Sequence, residues 1–530
     1  MIALNRVTKI LLQLGFLAVI VVALTYKPFE LDRYFVPKEL ALHVVALVSA
    51  LTLFANRRRV SLGVVDICLV AFLGLSAISA LFATNYWLAQ RAIGLTFSSA
   101  LVFWGARKIA RGGGTRGLLI AAAVATVAAA AGALLQTYGI ETELFTSARA
   151  PGGTLGNRNF IAHICAVGLP ALAWCTVTAR RQAGALLGSL GAALVGAALF
   201  LSRSRAAWLA LIASVAIMAI LLFLSRKYWN REIVGGRLAR LVLAAAIGAI
   251  LSVALPNSLH WNSDSPYLDS AKGVVDYRKG SGGGRIAQYR NSLKMVEAHP
   301  VFGVGPGNWP VRYVQYAPGG DKSLTDDRTT ANPWPSSDWV AFVSERGLVA
   351  TIALLGVFGS LFISAFMRWR EDAEGDAVLL KVTLATTITA AIVVSCFDAA
   401  LLLAAPAFLV WGILGAASGG SGAAPKGREV ELSGRAWKLL AVGTAVIVAG
   451  SLVRSAMQTT AMTIVGRGGL TANWVTAAGW DPGSYRINTR AAELLANKGR
   501  CAKARPLARQ ANTLFPSAYS PRRILRRCGS

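Results

Sequence analysis

The stretch Leu118–Tyr138, LLIAAAVATVAAAAGALLQTY, has no charged residue, and its hydrogen-bonding side chains are Thr126, Gln136, Thr137 and Tyr138. Its length matches the roughly 20 residues with which a helix crosses the hydrocarbon core of a bilayer. It lacks the polar stripe, recurring about every 3.6 residues, that a soluble amphipathic helix presents to water. Inside lipid the backbone must satisfy its own hydrogen bonds, so a spanning segment is a helix or part of a closed barrel. The run of Ala and Leu, good helix formers, selects the helix.

Similar blocks recur outward from this one along 530 residues, of which 55% are hydrophobic. Thirteen spans are expected, from Ile10–Tyr26 to Leu439–Met457, with Ala92–Ala106 the shortest. The predicted fold class is all-α, a polytopic helical membrane protein of twelve to thirteen spans. The first block follows Arg6 and Lys9, as a signal peptide would, but it ends without a small-x-small cleavage site. It reads as a retained first helix.

A net charge of +29 in a soluble chain would point to nucleic acid. Here the basic residues gather in short links between apolar blocks, so no nucleic-acid partner is expected. Arg57, Arg58 and Arg59 follow the second span, Arg107, Lys108, Arg111 and Arg116 the fourth, and Arg180 and Arg181 the sixth. Arg226, Lys227, Arg231, Arg237 and Arg240 follow the eighth, and Arg368 and Arg370 the tenth. Because cytoplasmic links carry the excess of Lys and Arg, the amino terminus is expected in the cytoplasm. The ninth span then delivers the long segment Pro256–Asp338 to the outside.

Four regions follow: spanning helices over 1–255, a long outer loop over 256–338, further spans over 339–466, and a tail over 467–530. The loop is rich in glycine and proline, and its aromatic residues (Trp261, Tyr267, Tyr277, Tyr289, Trp309, Tyr313, Tyr316, Trp334) argue for an ordered structure. Lys426, Arg428, Arg435 and Lys438 mark another cytoplasmic link, so the tail is expected outside. There Asp481-Pro482 reads as a helix cap with a first-turn proline. Apolar residues at helical spacing then predict a tetratricopeptide-like hairpin, with a third short helix after Pro521. Cys501 and Cys528 are placed to form a disulfide in an oxidising compartment. Cys68, Cys165, Cys175 and Cys396 lie in apolar spans and read as small core residues. No Cys/His cluster has ligand spacing, so no metal site is expected.

One outward hairpin breaks the charge pattern: Leu201-Ser202-Arg203-Ser204-Arg205-Ala206-Ala207-Trp208. Charge at a membrane edge is costly unless paired or functional. The guanidinium fork matches phosphate oxygens, so a lipid diphosphate is one partner for this hairpin and interfacial snorkelling is the plainer reading. Arg285 follows the run Ser281-Gly282-Gly283-Gly284, and Arg290 comes a little over one helical turn later. The glycines before Arg285 admit either a close backbone approach to a ligand or a flexible turn.

These segments resemble the O-antigen ligase and polymerase superfamily of bacterial integral membrane glycosyltransferases. The carrying residues are Gly153-Thr154-Leu155-Gly156-Asn157-Arg158-Asn159-Phe160, Ser204-Arg205, and the stretch from Gly284-Arg285-Ile286 to Gly303-Val304-Gly305-Pro306-Gly307-Asn308. Ser336-Ser337-Asp338-Trp339 and Glu345-Arg346-Gly347 close the pattern, which covers roughly Met1 to Ala417. The resemblance implies a metal-free and cofactor-free transfer at the periplasmic face of the bacterial inner membrane. The donor it implies is an undecaprenyl-diphosphate-linked glycan, and the acceptor is a glycan, a lipid or a protein. It gives the diphosphate to Arg205 and Arg285, and sets Arg203, Arg290, Asn157, Asn159 and Ser336 against substrate. Where members of the family commonly carry a histidine thought to activate the acceptor, this chain has Ser336. A serine accepts no proton near neutral pH. Asp338 is the nearest carboxylate, with helix capping as its other reading, and Glu345 lies about two helical turns further on.

Of the four histidines, His43 and His163 fall in or near spans, His163 reading as a hydrogen-bonded core residue; His260 opens the long loop, and His299 sits in a His-Pro turn. The missing family histidine also admits a non-catalytic member that binds carrier lipid or scaffolds an assembly system. A transporter fits less well, because Asp66 and Asp398 are nearly the only acids near the membrane interior.

Overall fold

The computed structural model describes residues 2–29, 31–55, 59–146, 149–275, 281–367, 375–422 and 427–529. Arg57, Arg58, Tyr277, Arg368, Arg370 and Lys426 lie outside these residues. The chain runs through α1 (Ile2–Val21), α2 (Asp32–Phe54), β1 (Arg59–Leu62), α3 (Val64–Ser79), α4 (Tyr86–Ile109) and α5 (Thr115–Thr137). Then come α6 (Arg158–Val177), α7 (Gln182–Ser202), α8 (Arg205–Leu224) and α9 (Arg231–Ala254). The long loop holds α10 (Pro266–Val275), α11 (Ser281–Ala298) and α12 (Trp309–Arg312). It is followed by α13 (Asp338–Met367), α14 (Gly375–Phe397), α15 (Ala404–Gly420), β2 (Arg428–Glu431) and α16 (Gly434–Gly466). The tail forms α17 (Thr471–Trp480), α18 (Tyr485–Asn497), α19 (Cys501–Leu514) and α20 (Tyr519–Arg527).

Eleven helical segments among the described residues are long and apolar enough to cross a membrane. One of them, Tyr86–Thr137, covers both α4 and α5, and α15 is a further, shorter apolar helix. Each of the thirteen expected spans therefore coincides with a helix. The chain is an all-α, multi-pass membrane protein whose described strands form one two-stranded antiparallel ribbon, β1 with β2.

Burial sorts the helices into centre and rim. In α6 and α14, 89% and 78% of the most apolar window is buried, against 11% in α9 and 17% in α16. Lipid is as apolar as leucine, so the rim helices stay attached by close packing. Between α7 and α9 the approach is reciprocal: a Cβ on Gly196 would meet the Ala245 carbonyl oxygen at 2.3 Å, and one on Gly248 the Ala193 oxygen at 2.0 Å. No larger residue fits at either place.

The long loop folds over one end of the bundle, called here the loop face. Its glycine motif is a structural joint. Gly305 has φ +96°, and a Cβ there would lie 2.6 Å from Ala83 Cα. Gly347 interrupts α13 with φ +82°, and a Cβ on it would lie 1.9 Å from the Val301 oxygen. The Val304 and Gly305 amides donate to the Ser344 and Glu345 carbonyls at 3.0 and 2.9 Å, which locks the loop to the start of α13. The loop also has its own apolar cluster of Met295, Val304, Trp309 and Tyr313.

The tail packs on the loop face through Trp474, Ala477, Ala478 and Ile487 against Phe29, Val36 and Met462. Asp481 corrects the sequence expectation. It ends α17 and pairs with Arg454 of α16 at 2.6 Å, both side chains being buried. The cap of α18 is Ser484, which accepts from the Ile487 amide. A buried arginine needs a counter-ion, and local sequence cannot show that demand. The helix expected after Pro521 begins earlier, at Tyr519. Cys501 and Cys528 are bonded, with their Cα atoms 5.2 Å apart across a sequence separation of 27. Closing a loop of that length stabilises by about 3–4 kcal/mol. Cys501→Ser is therefore expected to leave the bundle intact while limited trypsin digestion releases tail fragments markedly faster.

Candidate functional site

The α7–α8 reversal, α11, the start of α6 and the α14–α15 link meet on the loop face. The reversal turns on Arg203, which has φ +54° and donates its amide to the Phe200 carbonyl. Arg205 opens α8, and its guanidinium donates to the Gly273 carbonyl of α10. It lies within Coulombic range of Arg285. Gly282, Gly283 and Gly284, read as a loop from sequence, form the first turn of α11 instead. Arg285 thus sits near a helix amino terminus, half-buried, and makes no hydrogen bond or ion pair among the described residues.

Tyr289, one helical turn beyond Arg285, directs its hydroxyl at the Ser336 carbonyl and, at 3.1 Å, the Cys396 carbonyl. Burial pushes this phenol up to about 12, so it remains a neutral donor at physiological pH. The Ser336 amide donates to Gln288 Oε1 at 2.8 Å. These bonds dock Ser336 on α11 about one helical turn beyond Arg285.

Asp398 closes the group. Its Oδ2 accepts from Asn159 Nδ2 at 3.2 Å and its Oδ1 from the Ala399 amide at 2.9 Å. Asp398 and Arg285 both lie within Coulombic range of Tyr289 and of His163. His163 departs from the sequence expectation: it is fully buried, yet neither ring nitrogen has a hydrogen-bond partner among the described residues. Cys396 departs too, being exposed at the end of α14.

The structure brings Arg205, Arg285, Asn159 and Ser336 into one neighbourhood and leaves other expected residues out of it. Arg290 is exposed, and five residues along a helix turn it about 140° from Arg285. Asn157 is buried and caps α6, accepting from the Asn159 amide at 3.0 Å. Arg203 faces another wall, described below. Asp338 is fully buried: Oδ2 accepts from the Ala400 and Leu401 amides, each at 2.8 Å, and Oδ1 from Leu402 at 3.3 Å. Glu345 is occupied in the same manner by the Gly307 and Trp309 amides at 2.8 and 3.1 Å. Both carboxylates hold loops in place; Glu345 is also a wall residue of the cleft described below, and Asp338 is not.

Tyr289 and Asp398 were not recognised as site residues from sequence. The available signal for Asp398 was its isolation, since it is the sole acid between Asp376 and Glu429. Beside this group, Phe35, Phe160 and Trp334 form an aromatic wall, with Phe35 centroids 5.7 Å from Phe160 and 5.4 Å from Trp334. Beyond it opens a cleft of about 350 Å³ between bundle, loop and tail, lined among others by Asp32, Glu39, Arg91, Trp334 and Tyr485.

The loop face of this multi-span helical bundle thus carries a cationic group beside an aromatic wall. Residues 190–355 match the O-antigen ligase family, a match that supports a relation to the O-antigen ligase and polymerase superfamily. The match supports an O-antigen ligase/polymerase-type membrane enzyme in general. The matched segment holds Arg205, Arg285, Ser336 and Asp338, whereas Asn159 and Asp398 lie outside it and join it only in the fold. No curated protein matches the chain significantly.

Proposed function

We propose that this enzyme moves a glycan from an undecaprenyl-diphosphate carrier to an acceptor hydroxyl at the periplasmic face of the bacterial inner membrane, without a metal ion. The observation that carries the reading is Arg285, which has no hydrogen-bond or ion-pair partner among the described residues and lies within Coulombic range of Arg205. Two like charges held together repel each other, and a diphosphate between them relieves that repulsion. The amino-terminal end of α11 adds a favourable dipole for the same anion. The basic links at the opposite ends of the helices support the periplasmic assignment of the loop face.

In this mechanism the acceptor oxygen attacks the anomeric carbon while the bond from that carbon to the diphosphate oxygen breaks. The configuration inverts, and the electron pair leaves with the diphosphate. Arg205 and Arg285 are preorganised toward the charge that develops there, which is the type of term that dominates such catalysis. The acceptor proton passes to Asp398, which lies with Arg285 in Coulombic range of Tyr289 and keeps 8% of its surface exposed, and from it to solvent. Asn159 orients Asp398, and Tyr289 holds the Ser336 segment against α11. The cleft behind Phe35 and Trp334 is the approach for the acceptor, whose sugars stack on aromatic rings.

Transfer from a defined undecaprenyl-diphosphate glycan by protein reconstituted in liposomes tests this reading. Asp398→Asn is expected to lower turnover by about 10²–10⁴-fold, the usual share of a general base, with carrier-lipid binding unchanged. Turnover equal to wild type would transfer the role of base elsewhere. Carrier binding without any transfer by the wild type would make the chain a scaffold.

A further inference from the structure

A second cationic feature lies on the loop face, at the ends of α5, α6 and α7. It is a cavity of about 910 Å³ whose walls include Gln136, Ile140, Arg158, Arg203, His260 and Trp261. Two arginines from different helix ends meet over one indole: the Arg158 and Arg203 guanidinium carbons lie 4.9 and 4.5 Å from the Trp261 ring centroid. Arg203 Nε also donates to Ser270 Oγ at 2.9 Å. Arg149 lies within Coulombic range of Arg158, whose side chain makes no hydrogen bond or ion pair among the described residues. Among the described residues, Arg158 and Arg203, with Arg149 in range, outnumber the carboxylates near them, Glu141 in the cavity wall and Asp269 in range of Arg203, and neither carboxylate forms an ion pair with these arginines.

The indole face attracts each cation and so holds two like charges in one wall. A wall with positive charge in excess, presenting planar donor forks, is suited to phosphate oxygens. Ile140 in the wall is 48% exposed, and the wall residues Ser258 and Leu259 follow α9, a rim helix of whose most apolar window 11% is buried. Such a rim fits acyl or prenyl chains. This cavity is distinct from the proposed transfer site: Arg203 turns to Trp261 and Ser270 and lines it, while Arg205 turns to Gly273, and Arg205, Arg285 and Asp398 are not among its wall residues.

We propose that this pocket is a second phosphate site, which holds the headgroup of a lipid-anchored phosphate beside the transfer site. The phosphate belongs either to a membrane phospholipid or to a prenyl-linked substrate, and the inference does not depend on the transfer chemistry. The test uses full-length protein carrying Arg205→Ala and Arg285→Ala, so that the transfer site is silenced. Lipids retained through purification are counted by native mass spectrometry in two arms, undecaprenyl monophosphate and phosphatidylglycerol, with phosphatidylcholine as control. Adding Arg158→Gln and Arg203→Gln is expected to weaken retention of an anionic lipid at least about tenfold, the order lost with a charge-assisted contact. Preferred retention of the prenyl phosphate marks a substrate station, and preferred retention of phosphatidylglycerol marks a resident lipid. Thermal unfolding and Arg158→Lys, which keeps the charge, separate lost binding from lost folding. Retention unchanged by the two glutamines, or no anionic lipid held by the starting protein, overturns the proposal.

Discussion

Arg285→Ala is expected to cut glycan transfer by about 10²–10³-fold in reconstituted protein, with the fold intact. That is the usual loss when one preorganised donor to a developing anion is removed, about 2.7–4 kcal/mol of transition-state stabilisation. Arg285 is suited to this test because it makes no hydrogen bond or ion pair among the described residues, so its removal leaves no orphaned partner there. Arg205→Ala is expected to act in the same direction, although its bond to the Gly273 carbonyl ties it to α10 as well. The effect falls on kcat more than on KM, because the charge forms only as the diphosphate leaves. Arg285→Lys, a point charge without the planar fork, is expected to retain partial activity. A wild-type rate in Arg285→Ala would remove this arginine from the reaction.

Asp338→Ala is expected to have the largest effect on stability. The side chain is fully buried and accepts from three backbone amides of the α14–α15 link. Leaving a buried donor without its acceptor costs about 1–3 kcal/mol each, so the sum is at least about 3 kcal/mol. Arg346, buried in the next turns of α13 and within Coulombic range of Asp338, also loses part of its compensating charge. The measurements are the thermal midpoint in detergent and the transfer rate per folded molecule. A marked fall in the first with the second preserved is the expected pattern. An unchanged midpoint with abolished transfer would restore Asp338 to the chemistry.

Asp338 also illustrates what a local pattern conveys. Its position in Ser336-Ser337-Asp338-Trp339 is equally consistent with a base, a cap or a loop anchor. The choice depends on amides more than sixty residues away in sequence, at Ala400–Leu402. Asp481 followed the same logic: Asp-Pro has the local signature of a cap, but the buried Arg454 claims the carboxylate. Arg290 failed for a simpler reason, since sequence nearness to Arg285 becomes angular separation once both lie on one helix. His163 had no local signal at all. Only the packing of α6 at the centre of the bundle shows a fully buried imidazole without a hydrogen-bond partner among the described residues, in Coulombic range of Asp398.

What the amino-acid order determined by itself was the membrane architecture. All thirteen expected spans coincide with helices, because a bilayer demands about twenty apolar residues with an internally bonded backbone, and both demands are local. It also singled out Arg205 and Arg285 as candidates, since charge at a membrane edge is costly unless paired or functional. The tertiary structure alone decided which groups share the site. Asn159, Arg285, Ser336 and Asp398 come from four separate elements, and Coulombic and hydrogen-bonding partners are chosen by distance in space, which a one-dimensional pattern does not encode.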